Sequence, residues 1–270
     1  MGSKQLEDTV FEEKHEHDMT EKANQEQNAT GEKITTVELL QPEKKIAIHE
    51  ETVEYFSWVQ GFMAHPEDNP NAPGLVIIHE WRGLNDHIKD MARVLAMQGY
   101  RVLAVDLYDG KVASTMEEAQ WLSSALGKAQ TGATQNLLAA ETFLRQYADK
   151  VAAWGWCLGG KQSLELSLAS DTLDATVIYY GRLYDSPEIL SKINEPLLGI
   201  FAEKDNGIPP SSVQAFENWL KEAGKTDYDI TIVPDVWHAF ANPTGNSFNK
   251  EETLDAWEKT LVFLEENLKE

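Results

Sequence analysis

The chain has 270 residues, and its 45 acidic against 23 basic side chains give a formal charge of −22. That balance argues against a nucleic-acid partner, which needs Lys and Arg to neutralise phosphates, and against an anionic membrane; no apolar run approaches the roughly 18 residues of a membrane helix. A lone cysteine excludes an internal disulfide and any multi-cysteine metal centre, while 42% hydrophobic and 25% charged residues are ordinary for a folded domain.

Met1 to about Gly31 is dominated by Glu, Lys, Gln, Asn and Asp. Such a segment cannot bury enough surface to offset its ordering entropy, so residues 1–50 read as a flexible acidic arm and 51–270 as the domain. His15 and His17 flank Glu16, but no third ligand is fixed nearby and the segment reads as solvated. Asn28-Ala29-Thr30 fits a glycosylation acceptor, and Leu6 breaks a myristoylation pattern. As it stands the sequence reads as cytoplasmic, or as exported if a leader has been removed ahead of Met1-Gly2.

From Val53 the texture changes. Val53–Ala64 reads as one extended strand closed by Pro66, and Leu75–Ile78 as a short strand buried on both faces. Ile88–Met97 has helical spacing with Gly99 as a stop, and Val102–Val105 is a second buried strand. A long helical region runs from Met116 to about Tyr147, with breaks expected near Gly127 and Gly132. Strands at Val151–Trp156, Ala175–Tyr180, Leu197–Ala202 and Tyr228–Val233 then alternate with helices at Leu158–Ala169, Ile189–Ile193, Ser211–Ala223 and Glu251–Leu268. This alternation predicts an α/β domain with a mainly parallel sheet and helices on both faces. Ligands in such sheets gather at the carboxyl ends of the strands, so chemistry belongs in the loops after them.

Trp154-Gly155-Trp156-Cys157-Leu158-Gly159-Gly160 stands where a strand hands over to a helix. It has the G-x-nucleophile-x-G form of a sharp elbow, with Cys157 as the nucleophile and the positive end of the next helix aimed at its sulfur. An acid and a histidine should follow after later strands, in that order. Asp205 follows the Leu197–Ala202 strand and His238 follows the Tyr228–Val233 strand. Glu203 and Asp235 are rival acids; Asp205 is preferred because it lies in the polar loop beyond its strand. The other histidines fit a general base less well: His15, His17 and His49 belong to the arm or its edge, His65 closes the first strands, and His79 and His87 precede the nucleophile. The resulting chemistry is attack of Cys157 on an acyl carbonyl with His238 shuttling the proton and Asp205 fixing the imidazole. An oxyanion hole would use the Leu158 amide and one from His79–Asn85.

His79-Glu80-Trp81-Arg82-Gly83-Leu84-Asn85, Asp106-Leu107-Tyr108, the 155–160 elbow, Tyr179-Tyr180-Gly181 and His238-Ala239-Phe240 occur in this order. Together they resemble the dienelactone hydrolase family over about Val53–Leu268. The resemblance implies an α/β-hydrolase fold, hydrolysis of a lactone or ester, and no cofactor or metal. It assigns Cys157, Asp205 and His238 to the triad, the second oxyanion amide to Trp81, and to Glu80 a contact with the resting thiol that helps form thiolate when substrate arrives. The arginines that grip a substrate carboxylate in the family are missing, since Lys111–Gln130 holds none and Asn242 stands where one is expected. Arg82 and Arg182 could replace them, beside an aromatic wall of Trp81, Tyr108, Tyr180 and Trp237. The predicted protein is a small-ester or lactone hydrolase, monomeric or a small homo-oligomer. The rival readings are a non-catalytic small-molecule binder of the same fold and a cysteine peptidase.

Overall fold

A computed structural model describes residues 34–269. The readings made on the earlier residues, including His15, His17 and Asn28, lie outside them. Eight strands form one sheet: β1 (Ile48–Phe56), β2 (Val59–Pro66), β3 (Gly74–Ile78), β4 (Arg101–Val105), β5 (Val151–Trp156), β6 (Ala175–Tyr179), β7 (Leu197–Ala202) and β8 (Tyr228–Val233). Their spatial order is β1-β2-β4-β3-β5-β6-β7-β8. β3 to β8 run parallel, and β1 and β2 join antiparallel at one edge.

The central strands are buried at every position, because helices cover both faces. On one face Leu75, Ile77, Val102, Ala104 and Trp154 meet α1 (Thr36–Leu40), α2 (Asp86–Met97) and α8 (Lys250–Leu268). On the other, Val76, Ile78, Leu103 and Ala153 meet α4 (Gln130–Leu144) and α5 (Leu158–Ala169), while Ile178 and Phe201 meet α7 (Pro210–Glu222). Two further helices lie among the described residues: α3 (Met116–Lys128) before α4, and the short α6 (Pro187–Leu190) before β7.

Two expectations change, and one is made more definite. The single strand at Val53–Ala64 is a hairpin, β1 and β2, turning through Ser57 and Trp58 with φ of 29° and 73°. The helical region from Met116 is interrupted where a break was expected, near Gly127 and Gly132: the junction of α3 and α4 sits at Ala129, between the two glycines. The boundary at residue 50 falls inside β1, and structure begins earlier still. Thr35 and Glu38 form a reciprocal capping box on α1, Leu39 and Leu40 are buried, and the Thr36 hydroxyl is 2.7 Å from His87 Nδ1. Burial pushes His87 down to about 4, so the ring is neutral there.

Candidate active site

The elbow forms as its glycines require. Cys157, half-buried, has φ 55° and ψ −115° between β5 and α5, a conformation costly for a side-chain-bearing residue. Space, and not φ, demands glycine around it. A Cβ on Gly155 would lie 1.9 Å from the Gly159 carbonyl oxygen, and one on Gly159 would lie 2.1 Å from that of Ile78. The Cys157 amide donates to the Tyr179 carbonyl at 3.0 Å, which ties the elbow to β6. Leu158 opens α5, where first-turn amides have no intrahelical acceptor.

The loops after β7 and β8 bring Asp205 and His238 to the sulfur. His238 Nδ1 donates to Asp205 Oδ2 at 2.6 Å, with the two side chains 25% and 3% exposed. The remaining oxygen, Asp205 Oδ1, accepts from the amides of Gly207 at 2.9 Å and Ile208 at 3.0 Å. Burial alone would raise the Asp205 carboxyl, but the His238 charge and these hydrogen bonds outweigh it and hold it below its ordinary value. On its other side His238 is hydrogen-bonded to Cys157. Burial opposes the imidazolium, yet the charges of Cys157 and Asp205 hold it well above the ordinary histidine value. The rival acids are occupied elsewhere: Glu203 Oε2 accepts from the Asp235 amide at 2.9 Å, and Asp235 pairs with Lys204 at 3.0 Å.

The loop after β3 carries Glu80, which is buried and accepts from Asn242 Nδ2. Burial raises its carboxyl to about 7, against the opposing effects of His238, Asn242 and Arg82. The same loop is held from below. His79, fully buried and kept neutral by burial, bonds through Nδ1 to the Glu80 carbonyl at 2.6 Å, while its Nε2 accepts from the Leu107 amide at 3.2 Å. Tyr108 donates to the Trp81 carbonyl at 3.2 Å, and Asp106 accepts from the amides of Tyr108 and Gly110. The Asp-Leu-Tyr segment thus fixes the loop that bears Glu80 and Trp81.

A cleft of about 400 Å³ opens over Cys157 and His238. Trp81 and Tyr180 form its aromatic wall, and Arg182 reaches its rim. Tyr180, with φ 37°, packs edge-on against His238 at 5.1 Å. Three residues expected at the substrate lie off the lining: Tyr108, buried beneath the loop; Arg82, stacked on the Trp81 ring at 5.5 Å; and the half-buried Trp237. In their stead α3, α4 and α5 contribute Gln120, Ser123, Gln130, Lys161 and Gln162. Gln130 and Gln162 bond to each other at 3.0 and 3.1 Å. Nothing in the sequence marked these positions, because they meet only through the way three helices cross. Asn242, noted only as a missing arginine, proves to be the partner of Glu80.

The description "Dienelactone hydrolase family" matches residues 59–268. A Saccharolobus solfataricus protein assigned as a carboxymethylenebutenolidase is 32% identical over 245 residues, covering 76% of this chain and 93% of the relative. The solved structure named m3DLH superposes with a TM-score of 0.75 at 25% identity, covering 82% of this chain and 99% of the other. A dienelactone hydrolase-like promiscuous phosphotriesterase from metagenomic libraries shares the fold with the same TM-score at 22% identity, again over 82% and 99% of the two chains.

Proposed function

The chain belongs to the dienelactone hydrolase family and is a hydrolase acting on a small molecule; from that premise we propose that it cleaves a small carboxylic ester or lactone through Cys157, His238 and Asp205. The observation that carries this reading is the single imidazole joining a buried carboxylate, 2.6 Å away, to the only sulfhydryl of the chain.

His238 takes the thiol proton and the sulfur attacks the carbonyl carbon, giving a tetrahedral oxyanion. The amides of Leu158 and Trp81 receive that charge, and the dipole of α5 adds to them. His238 then gives the proton to the departing alkoxide, leaving a thioester on Cys157. Water, deprotonated by the same imidazole, attacks the thioester, and the carboxylic acid leaves as the thiol is restored. Asp205 keeps the Nδ1–H tautomer throughout, so Nε2 faces the sulfur. Glu80 is a carboxyl whose charged form is disfavoured by burial; when ionised it stabilises the imidazolium that forms as His238 takes the thiol proton, and it carries no proton of the reaction itself. Trp81 and Tyr180 take the apolar part of the substrate. Arg182 and Lys161, at the cleft, favour one bearing a negative or strongly polar group.

The test is Cys157→Ala assayed with p-nitrophenyl acetate and with short-chain lactones. Turnover should fall by several orders of magnitude, leaving only the residual rate that the oxyanion hole and binding supply, while the fold is retained. Unchanged turnover would remove Cys157 as the nucleophile.

A further inference from the structure

The outer hairpin gathers three side chains that hydrolysis does not use. His49 and His65 are directly opposite across β1 and β2, and Glu51 projects from the same side as His49 because strand side chains alternate. The two imidazole centroids are 5.3 Å apart, and His49 Nε2 is 3.9 Å from Glu51 Oε1. One ligating atom from each of the three falls within 4.8 Å of the others. We propose that His49, Glu51 and His65 bind a divalent transition-metal ion, with Zn²⁺ as the reference case.

Two imidazoles and a carboxylate are a donor set for Zn²⁺, Cu²⁺ or Ni²⁺, and a poor one for Mg²⁺ or Ca²⁺. Tetrahedral Zn²⁺ with bonds of about 2.0–2.1 Å places its ligand atoms about 3.4 Å apart. The present separations close to that value by side-chain rotation alone, since His49 and Glu51 are 54% and 42% exposed. His65 is already set for the task. Its Nδ1 lies 2.9 Å from the Pro66 carbonyl, which can only accept, so Nδ1 carries the hydrogen and Nε2 keeps its lone pair. That outer hydrogen bond is the partner metal-bound histidines nearly always have. The overall charge of −22 draws cations to the surface. Arg101 opposes this locally, because its guanidinium charge acts on Glu51, and it holds the affinity to a modest level. A bound ion would clip β1, the edge strand of the sheet, to β2.

Zn²⁺ titrated by calorimetry into the full chain tests the assignment. The Cys157→Ala background keeps the active-site sulfur out of the reading. One ion per chain should bind with micromolar affinity, and Zn²⁺ should slow hydrogen exchange of the β1 amides. His49→Ala should weaken binding by at least about 10-fold and abolish that protection, and Glu51→Gln should weaken it by a similar factor. His15→Ala with His17→Ala should leave both unchanged. Absence of saturable binding below millimolar Zn²⁺, equal affinity in His49→Ala, or loss of binding on removal of His15 and His17 would each overturn the proposal.

Discussion

Replacing Glu80 by Gln should make the protein more stable above neutral pH and less active. Glu80 is 7% exposed, and burial is the main cause that lifts its carboxyl from 4.5 to about 7. Between those values the folded chain holds a proton that the unfolded chain releases, so this group makes stability fall as pH rises from 4.5 to about 7. At about 1.4 kcal/mol for each tenfold change in proton affinity, the full penalty is about 3 kcal/mol. Gln keeps an oxygen for Asn242 and never ionises, so it escapes the penalty. Working above the isoelectric point of about 4.6, the penalty is about 1.4 kcal/mol at pH 5.5 and nearly complete at pH 8.5. The stability gap between variant and parent should therefore open by about 2 kcal/mol across that range, equivalent to roughly 4–8 °C in Tm for a chain of this size. Thermal unfolding of both proteins at matched pH values reads it directly, and titrating groups that do not interact with Glu80 cancel in the difference. A gap that stays constant, or narrows as pH rises, would show that Glu80 is not a buried carboxyl with a raised proton affinity. Hydrolysis by the variant should drop most above about pH 7, where the parent's Glu80 is ionised and steadies the imidazolium.

Asp205→Asn should leave the fold intact and reduce kcat by about 10⁴-fold, the order seen when a triad histidine is left in the wrong tautomer. The Asn oxygen can still accept from Gly207 and Ile208, but its NH₂ then meets Nδ1; steady-state ester hydrolysis with circular dichroism checks both points. If Asp235→Asn does the damage instead, the acid has been misassigned. Acid should also loosen the start of the chain. His87 is neutral when folded, with its proton affinity lowered to about 4 by burial, so stability from this residue is lost as pH falls from 6.5 toward 4. With the intrinsic exchange rate at each pH divided out, the protection of residues 34–40 should fall across that window and hold level in His87→Phe; protection that does not change with pH would count against the Thr36–His87 contact.

The parallel core could be read from the sequence because strands covered on both faces must be apolar throughout, as Leu75–Ile78 and Val102–Val105 are. The elbow was equally plain, since Gly155 and Gly159 stand where any side chain would collide with backbone. The hairpin turn was hidden for a definite reason. Two-residue turns of this kind usually advertise themselves with Asn or Gly at positive φ, whereas Ser57 and Trp58 take that conformation here. Helix α1 did leave a signal, the Thr35–Glu38 capping box, but five residues beside a polar segment fall below what periodicity can detect. Tyr108 had the chemistry of a substrate contact and lies buried under the Trp81 loop, while Arg82 stacks on the Trp81 ring off the cleft lining. Residue type alone does not separate substrate contact from scaffolding, because both uses need an aromatic ring or a guanidinium near the strand ends. The juxtaposition of His49, Glu51 and His65 depends on the register of β1 against β2, which the sequence left unspecified.

The hydrogen bond from Asn242 to Glu80 joins residues 162 positions apart, and His238, Asp205 and Cys157 fall between them in the chain. Any fragment that omits either end lacks part of the constellation, however well its own strands pair. A nascent chain that stops short of Asn242 should therefore be inert toward esters, and recovery of turnover during refolding should trail every spectroscopic sign of secondary structure. Enzymatic competence in this protein is a reporter of topological completion.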